Sequence, residues 1–370
     1  MWIRGLARTG VFLAVVLLLA GPAGASGLIE EGITLSARFD GDALDLEALV
    51  VRPDDGGRHP LVLLSHGAPR RAEDREGMHA SAQLSKAREF ARRGWVAVAV
   101  MRRGYGNSEG DYVESSGRCD NPDYVGSGRR SAEDLRQAIR AMAAKPYVDA
   151  SKVVAVGQSA GGFASVALAA DPPPGLAAVI NFAGGRGSTK PDEVCVADRL
   201  VAAFATFGRT ARVPMLWVYT ENDHYFGPRL ANRFHTAFTE AGGRAQLIRA
   251  PAFGDDGHLL FSTKGIGLWT SYVDDFLAAQ GLTQFARPLP PRDVSAISYP
   301  SGLSDKGRAA YAQFLDAGRH KAFAMSKTGA YGWRSGRSST DEAMEEALEK
   351  CTNFSTKRCF LVMVDDEAIQ

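Results

Sequence analysis

Short apolar runs of strand length alternate with longer segments of helical period over the first three quarters of the chain. This alternation is typical of an α/β protein, with a mostly parallel, doubly wound sheet and helices on both faces. The first two strands form an antiparallel hairpin around Gly41 and Asp42, and Ser131 with Asp134 is predicted to cap one helix. The predicted strands are 33–37, 44–51, 60–65, 95–101, 153–156, 176–182, 214–219 and 245–248, and the predicted helices are 81–93, 131–144, 163–170, 229–241 and 266–279.

The pattern changes after residue 281. Residues 282–300 hold four prolines without a hydrophobic period, which predicts a linker. Beyond it, residues 301–370 predict a small α+β unit, and residues 26–281 form the large domain. The elements predicted for the small unit are helices 304–317 and 340–350 and strands 321–325, 331–333 and 359–364.

The N-terminus has the pattern of a secretory signal peptide. Arg4 and Arg8 precede a short apolar run, and small residues follow as Ala23-Gly24-Ala25. The run is too short to span a bilayer comfortably, although an uncleaved anchor is the alternative. We therefore expect residues 1–25 to be removed and the mature chain to be periplasmic or secreted by a bacterium, without a stable membrane span.

Composition narrows the classes of function. The formal charge of +1 gives the chain no excess of positive charge with which to bind nucleic acid. The 4 cysteines never occur in C-x-x-C spacing, which disfavours zinc and redox chemistry, and no metal or cofactor is expected. Their even number in an exported chain predicts disulfides, for which three pairings exist. Locality favours Cys351 with Cys359, leaving Cys119 with Cys195.

The stretch 153–170 carries the clearest chemical signal. A buried strand is followed by the pattern G-x-S-x-G around Ser159 and then by an apolar helix, the arrangement of a nucleophile elbow. Glycines are needed on both sides because a Cβ would collide with neighbouring backbone. The pattern recurs around Ser108, but no helical period follows and Pro122 interrupts the chain. Ser159 is therefore the predicted nucleophile and Ser108 a loop serine.

A serine nucleophile needs a base and an orienting acid. Asp223 and His258 follow two later predicted strands, in the order serine, acid, histidine that this arrangement requires. Glu221 is an alternative acid and His224 an alternative base. The neighbouring polar residues Asp255 and Asp256 are predicted to be solvated carboxylates, and His66 a structural histidine.

The loops beside Ser159 supply the remaining site predictions. The backbone amides of Ala160 and Ala68 are the predicted oxyanion donors, and Gly67 lets the backbone come close. Tyr105 and Gln158 are candidate pocket residues. Arg103 is predicted to hold its own glycine-rich loop rather than to touch substrate.

The motifs H-G-A-P, R-R-G-Y-G-N-S-E-G, G-Q-S-A-G-G, N-D-H and G-H together resemble the α/β-hydrolase superfamily. They are closest to its dienelactone-hydrolase-like and prolyl-oligopeptidase-like (acylaminoacyl-peptidase-like) branch, over about residues 30–281. The resemblance implies the α/β-hydrolase fold and a catalytic triad. Dienelactone hydrolases carry cysteine where this chain has Ser159, which favours esterase or peptidase chemistry. Peptidases of this branch usually carry an N-terminal propeller, for which there is no room before Pro60.

The expected function is that of an exported serine hydrolase cleaving small carboxylic esters through an acyl-enzyme. A small acyl-peptidase or exopeptidase is the alternative, followed by a binding protein that kept the fold. The C-terminal unit is similar to small disulfide-bearing modules of exported bacterial proteins, which implies a binding or stabilising role. Its Tyr331 and Trp333 either pack in a core or contact a polymer.

Overall fold

The computed structural model describes residues 27–291, 298–318, 320–337, 339–365 and 367–369, so the expected signal peptide lies outside the described residues. The large domain contains ten strands and six helices within that range. The strands are β1 (Leu28–Phe39), β2 (Asp42–Pro53), β3 (His59–Ser65), β4 (Val96–Val100), β5 (Val148–Gln158), β6 (Leu176–Phe182), β7 (Ser188–Lys190), β8 (Glu193–Val194), β9 (Met215–Thr220) and β10 (Ala245–Ala250). The helices are α1 (Leu84–Arg92), α2 (Tyr124–Ala143), α3 (Ala160–Ala170), α4 (Ala197–Gly208), α5 (Pro228–Glu240) and α6 (Ile266–Ala279).

Eight of these strands form one sheet in the order β1-β2-β4-β3-β5-β6-β9-β10. The pairs β1–β2 and β2–β4 are antiparallel, and every later pair is parallel. After β3 the chain forms β4 on one side of that strand, and it then crosses over to form β5 on the other side. The carboxyl ends of the parallel strands consequently meet at one edge, where ligand sites of such sheets occur.

Helices cover both faces of the sheet, as the alternating pattern predicts. One apolar core lies under α2, α3, α4 and α5 and includes Phe163 and Trp217. The other lies under α1 and α6 and includes Trp95 and Trp269. Because both faces are covered, the central strands are buried along their whole length, which explains their continuous apolar runs.

The predicted start of α2 was wrong. The helix begins at Tyr124, and the carboxylate of Asp123 accepts the amide of Gly126 at its first turn. Ser131 lies inside the helix, and Asp134 binds the backbone and side chain of Arg103. Both side chains bond to residues that are distant in sequence, and neither caps the helix. Their capping-box spacing therefore predicted the wrong start for α2.

The C-terminal unit is a four-stranded antiparallel sheet with two helices. Its strands lie in the order β12-β11-β13-β14, and a disulfide joins Cys351 to Cys359. The elements are α7 (Asp305–Leu315), β11 (Ala322–Ser326), β12 (Tyr331–Arg334), α8 (Thr340–Thr352), β13 (Cys359–Val364) and β14 (Glu367–Ala368).

The segment that follows α6 lies against the large domain. The amide of Leu289 donates to the carbonyl of Arg92 at 2.7 Å, and the Arg92 side chain returns a bond to the Leu289 carbonyl. The guanidinium of Arg88 binds both Glu30 of β1 and Asp316 of the C-terminal unit. Across the described ranges, none of the helices is both long enough and apolar enough to cross a membrane.

Candidate active site

The turn between β5 and α3 holds Ser159 in a conformation that side chains rarely adopt. Its φ is 55° and its ψ −123°, so the residue lies outside the regions favoured by L-amino acids. A Cβ on Gly157 would overlap the carbonyl oxygen of Gly161, and a Cβ on Gly161 would overlap that of Ser65. Both glycines of the motif are therefore sterically required, and the serine is lifted out of the sheet at its carboxyl edge.

Two further strand ends bring an acid and a histidine together. Asp223 follows β9 and His258 follows β10, and the Nδ1 atom of His258 lies 3.1 and 3.2 Å from the two carboxylate oxygens of Asp223. Asp223 is only 2% exposed, and one of its oxygens also accepts the amides of Tyr225 and Phe226. This acceptor keeps a proton on Nδ1 and leaves Nε2 to act as a base.

The loop that carries His258 is fixed to the elbow. The side-chain amide of Gln158, the residue before Ser159, donates to the His258 carbonyl at 2.7 Å. The ring of Tyr225 stacks on the imidazole with centroids 3.9 Å apart. Asp256 accepts the amide of His258 at 3.0 Å and is partly exposed, so this carboxylate also caps the loop.

The alternative acid and base lie away from this pair. Glu221 is exposed, and the Nδ1 of His224 lies 3.1 Å from the carboxylate of Asp192. The half-exposed His224 ring therefore faces a surface loop.

His66 is buried and fully bonded. Its Nε2 accepts the amide of Arg102, and its Nδ1 lies 2.6 Å from the carbonyl of Gly67. Burial, aided by the Arg102 charge, lowers the pKa of His66 to about 3, so the ring stays neutral. Ser108 likewise has a structural contact, donating to the Met101 carbonyl.

The two predicted oxyanion donors lie beside Ser159. The Ala160 amide is at the first position of α3, and Ala68 lies in the loop after β3. Neither N–H donates to an acceptor within the part of the chain that the structure describes. A Cβ on Gly67 would lie 3.2 Å from the Cβ of Ser159, so glycine allows this loop to approach closely. Two unengaged amides beside a serine hydroxyl are suited to stabilise a tetrahedral oxyanion.

A cleft of about 180 Å³ opens beside Ser159. The disulfide between Cys119 and Cys195 joins two of the segments that flank it. The lining residues are Ala68, Pro69, Arg70, Tyr112, Ser115, Ser116, Ser159, Ala160, Gly185, Arg186, Gly187, Ser188, Tyr225 and Phe226.

Neither residue predicted for the pocket lines this cleft. Gln158 holds the histidine loop, and Tyr105 is 1% exposed, with its hydroxyl bonded to Glu114 and its ring against His66. Tyr112, from the same loop, lines the cleft instead. A tyrosine in a glycine-rich loop does not reveal from sequence which way its ring turns.

A buried ionic cluster that the sequence did not reveal lies beneath the cleft. Glu114 binds Arg102 through two bonds, at 2.7 and 3.1 Å, and its Oε1 lies 2.9 Å from Arg186. Burial alone would raise the pKa of Glu114, but the two guanidiniums outweigh it and hold the pKa well below its usual range. Two cations share one carboxylate here, so the cluster leaves positive charge in the cleft that Ser159 and Arg186 both line.

Comparison with known proteins adds independent information. The family model of the X-Pro dipeptidyl-peptidases (S15 family) matches residues 40–206, which include Ser159 but neither Asp223 nor His258. Dipeptidyl peptidase 4 of Porphyromonas gingivalis superposes with a TM-score of 0.50 at 17% identity, covering 68% of this chain and 35% of that one. The chain has the α/β-hydrolase fold.

Two shorter proteins are similar to most of the large domain. An esterase of Pyrococcus furiosus is 13% identical, with a TM-score of 0.47, over 68% of this chain and 90% of its own. A candidate dienelactone hydrolase of Klebsiella pneumoniae is 18% identical, also with a TM-score of 0.47, over 69% of this chain and 99% of its own.

Proposed function

We propose that this hydrolase cleaves small carboxylic esters through an acyl-enzyme, with Ser159 as nucleophile. The observation that carries the proposal is the buried Asp223–His258 pair, tied by Gln158 to the strained serine. In this assignment His258 is the general base and Asp223 holds its tautomer.

The reaction would run in two balanced halves. The Ser159 oxygen attacks the ester carbonyl while His258 Nε2 takes the serine proton, and the oxyanion is stabilised by the amides of Ala160 and Ala68. Collapse of the intermediate breaks the bond to the alcohol, which leaves with the proton from His258. A water then attacks the acyl-enzyme by the same route, releasing the acid and restoring the serine.

The direct test is replacement of Ser159. We expect Ser159→Ala to fold normally and to lose ester turnover by about 10⁴-fold or more, because triad members act as a unit. Ser108→Ala, which removes the serine of the second G-x-S-x-G, is the matched control and should retain nearly full activity. Labelling by a fluorophosphonate, mapped by mass spectrometry, should occur at Ser159 alone. A labelled Ser108, or a protein that takes up no label, would overturn the assignment.

Amide hydrolysis by a small acyl-peptidase or exopeptidase is the second candidate. The match to a dipeptidyl-peptidase family over residues 40–206 supports it. We place the esterase first, and the cleft of about 180 Å³ beside Ser159 suits a small substrate of either kind. Measuring kcat/KM for a series of p-nitrophenyl esters and for aminoacyl p-nitroanilides distinguishes an esterase from a peptidase.

Export is part of the proposal. The two disulfides are compatible with an oxidising compartment. Sequencing the N-terminus of the protein recovered from the bacterial periplasm or medium should give a start just after Ala25, and an intact Met1 would contradict this.

A further inference from the structure

The C-terminal unit contains a groove of about 850 Å³ that the proposed reaction does not use. It runs beside β12, the edge strand of the small sheet, between α7 and the end of α8. Its lining combines aromatic rings with three cationic side chains. The lining residues are Ala310, Gln313, Gly329, Ala330, Tyr331, Trp333, Arg334, Ser335, Arg337, Lys350 and Phe354.

The aromatic side chains are anchored from behind. The ring of Tyr331 stacks on Phe323 with centroids 5.8 Å apart, and Trp333 contacts Phe314 edge-on. Both rings pack on the small core and also border the groove, so the packing predicted for them is observed, and the contact with a polymer stays a prediction. Phe354, by contrast, is 73% exposed at the groove rim. Rings held in place in this way offer flat apolar faces at low entropic cost.

The groove has more cationic side chains than there are acidic side chains paired with them. Arg334 and Arg337 both lie 2.7 Å from the same oxygen of Glu346. Lys350 lies one helical turn after Glu346 and also lines the groove. Partial burial, followed by the two nearby guanidiniums, lowers the pKa of Lys350. Glu346 therefore pairs with two of the three cations, and no acidic side chain is among the residues that line the groove, so its charge suits an anion.

We propose that this groove binds an anionic polysaccharide. Sugar rings present C–H faces that pack on aromatic side chains, while uronate carboxylates match the forked geometry of arginine. Tyr331, Trp333 and Phe354 would hold the sugar faces, and the three cations would hold the carboxylates. The site lies outside the catalytic cleft, so this inference does not depend on the proposed ester hydrolysis.

Two other classes of anionic polymer fit less well. Nucleic acid binding depends on many phosphate contacts, and this chain has a formal charge of only +1. An acidic peptide could add a strand to an open sheet edge, but β12 has only 4 residues and offers few outward backbone groups. The combination of several rings with a few cations is best matched by a glycan that carries carboxylates.

The test uses the full-length mature protein in affinity electrophoresis and calorimetry. We expect polygalacturonate to bind and dextran, its neutral counterpart, not to bind. Binding should weaken as salt is added, because part of the attraction is electrostatic. Lys350→Gln and Phe354→Ala should each weaken binding by roughly two- to fivefold, the range of single exposed contacts of these kinds.

Two control variants show whether a loss of polygalacturonate binding is specific to changes in the groove. Lys152→Gln removes an exposed lysine of the large domain, and Leu268→Ala removes an exposed apolar side chain of α6. Both should leave polygalacturonate binding unchanged, and melting temperatures should show that all four variants fold. Equal binding of dextran, tighter binding of poly-L-glutamate or oligo-dT, or no effect of Lys350→Gln and Phe354→Ala would each overturn the proposal.

Discussion

Asp223 shows how one buried carboxylate serves two purposes. One of its oxygens accepts two backbone amides in the loop after β9, and both face the imidazole of His258. The amides hold the carboxylate in place, and the carboxylate then orients the ring. The order of serine, acid and histidine was predictable, because parallel strands end at one edge and each residue follows a recognisable strand.

Asp223→Asn is expected to keep the fold and to lose activity. Its amide oxygen can still accept the backbone bonds, but its NH₂ group facing Nδ1 would favour the wrong imidazole tautomer, so kcat should fall by about 10⁴-fold. Glu221→Gln changes an exposed carboxylate two residues away and should have little effect. Steady-state kinetics on a soluble ester compare the two, and the reverse result would make Glu221 the acid.

His66 links stability to acid. The folded protein takes up its proton near pH 3 and the unfolded chain near 6.5, so the unfolded state binds more protons between these values. The free energy of unfolding should therefore fall as pH is lowered through this window, by on the order of 4 kcal/mol in total. Urea unfolding at pH 7, 5 and 4 should show a weaker pH dependence for His66→Gln than for wild type. The half-exposed His224, changed to Gln, is the control, and equal slopes for all three proteins would refute the linkage.

Among the elements, those with a continuous apolar run were predicted well and those fixed by distant partners were not. The strands at 60–65 and 176–182 match β3 and β6 closely because a strand buried on both faces must be apolar throughout. Helix α4 was missed although Leu200, Phe204 and Phe207 recur at helical spacing. Arg186 could not be found at all, since its partner Glu114 lies 72 residues earlier in a loop.

The bridge between Cys119 and Cys195 connects the loop before α2 to the loop before α4. It closes 76 residues of chain, which by the loop-entropy relation contributes roughly 4–5 kcal/mol, against about 2–3 for the 8-residue separation of Cys351 and Cys359. We expect the Cys119→Ser/Cys195→Ser variant to unfold at lower denaturant and to show a raised KM for esters. The Cys351→Ser/Cys359→Ser variant should keep its KM. If the second pair alone altered KM, the first bridge would have no part in shaping the cleft.

At the scale of the whole molecule, the contacts of the segment after α6 bear on where a stable large domain would end. Residues 282–300 were predicted as a linker, and the structure packs Phe285 against Gly94 and Leu289 against Arg92. Residues 282–291 contain no helix or strand, and the proline content could not indicate that this part of the segment lies on the large domain.

Truncation tests this boundary. A chain ending at Pro291 retains these contacts and should turn over small esters within a few-fold of the full chain, because Ser159, Asp223 and His258 all precede it. A chain ending at Gln284 lacks Phe285 and Leu289 and should melt at a lower temperature. Ester kinetics and thermal melting of both truncated proteins test these two expectations. A folded but inactive chain ending at Pro291 would mean that the C-terminal unit contributes to catalysis.

The cluster of Glu114 with Arg102 and Arg186 bears on how the enzyme meets its substrate. Moving the loop that carries Glu114 would separate buried opposite charges, which is strongly unfavourable, so this wall of the cleft is rigid. We therefore expect substrate to bind without a slow closing step after encounter, which stopped-flow binding of a substrate analogue should show as a single phase. If the proposed ester hydrolysis holds, a rigid wall should restrict the range of substrates, so esters that fit the cleft should react and bulkier ones should react far more slowly.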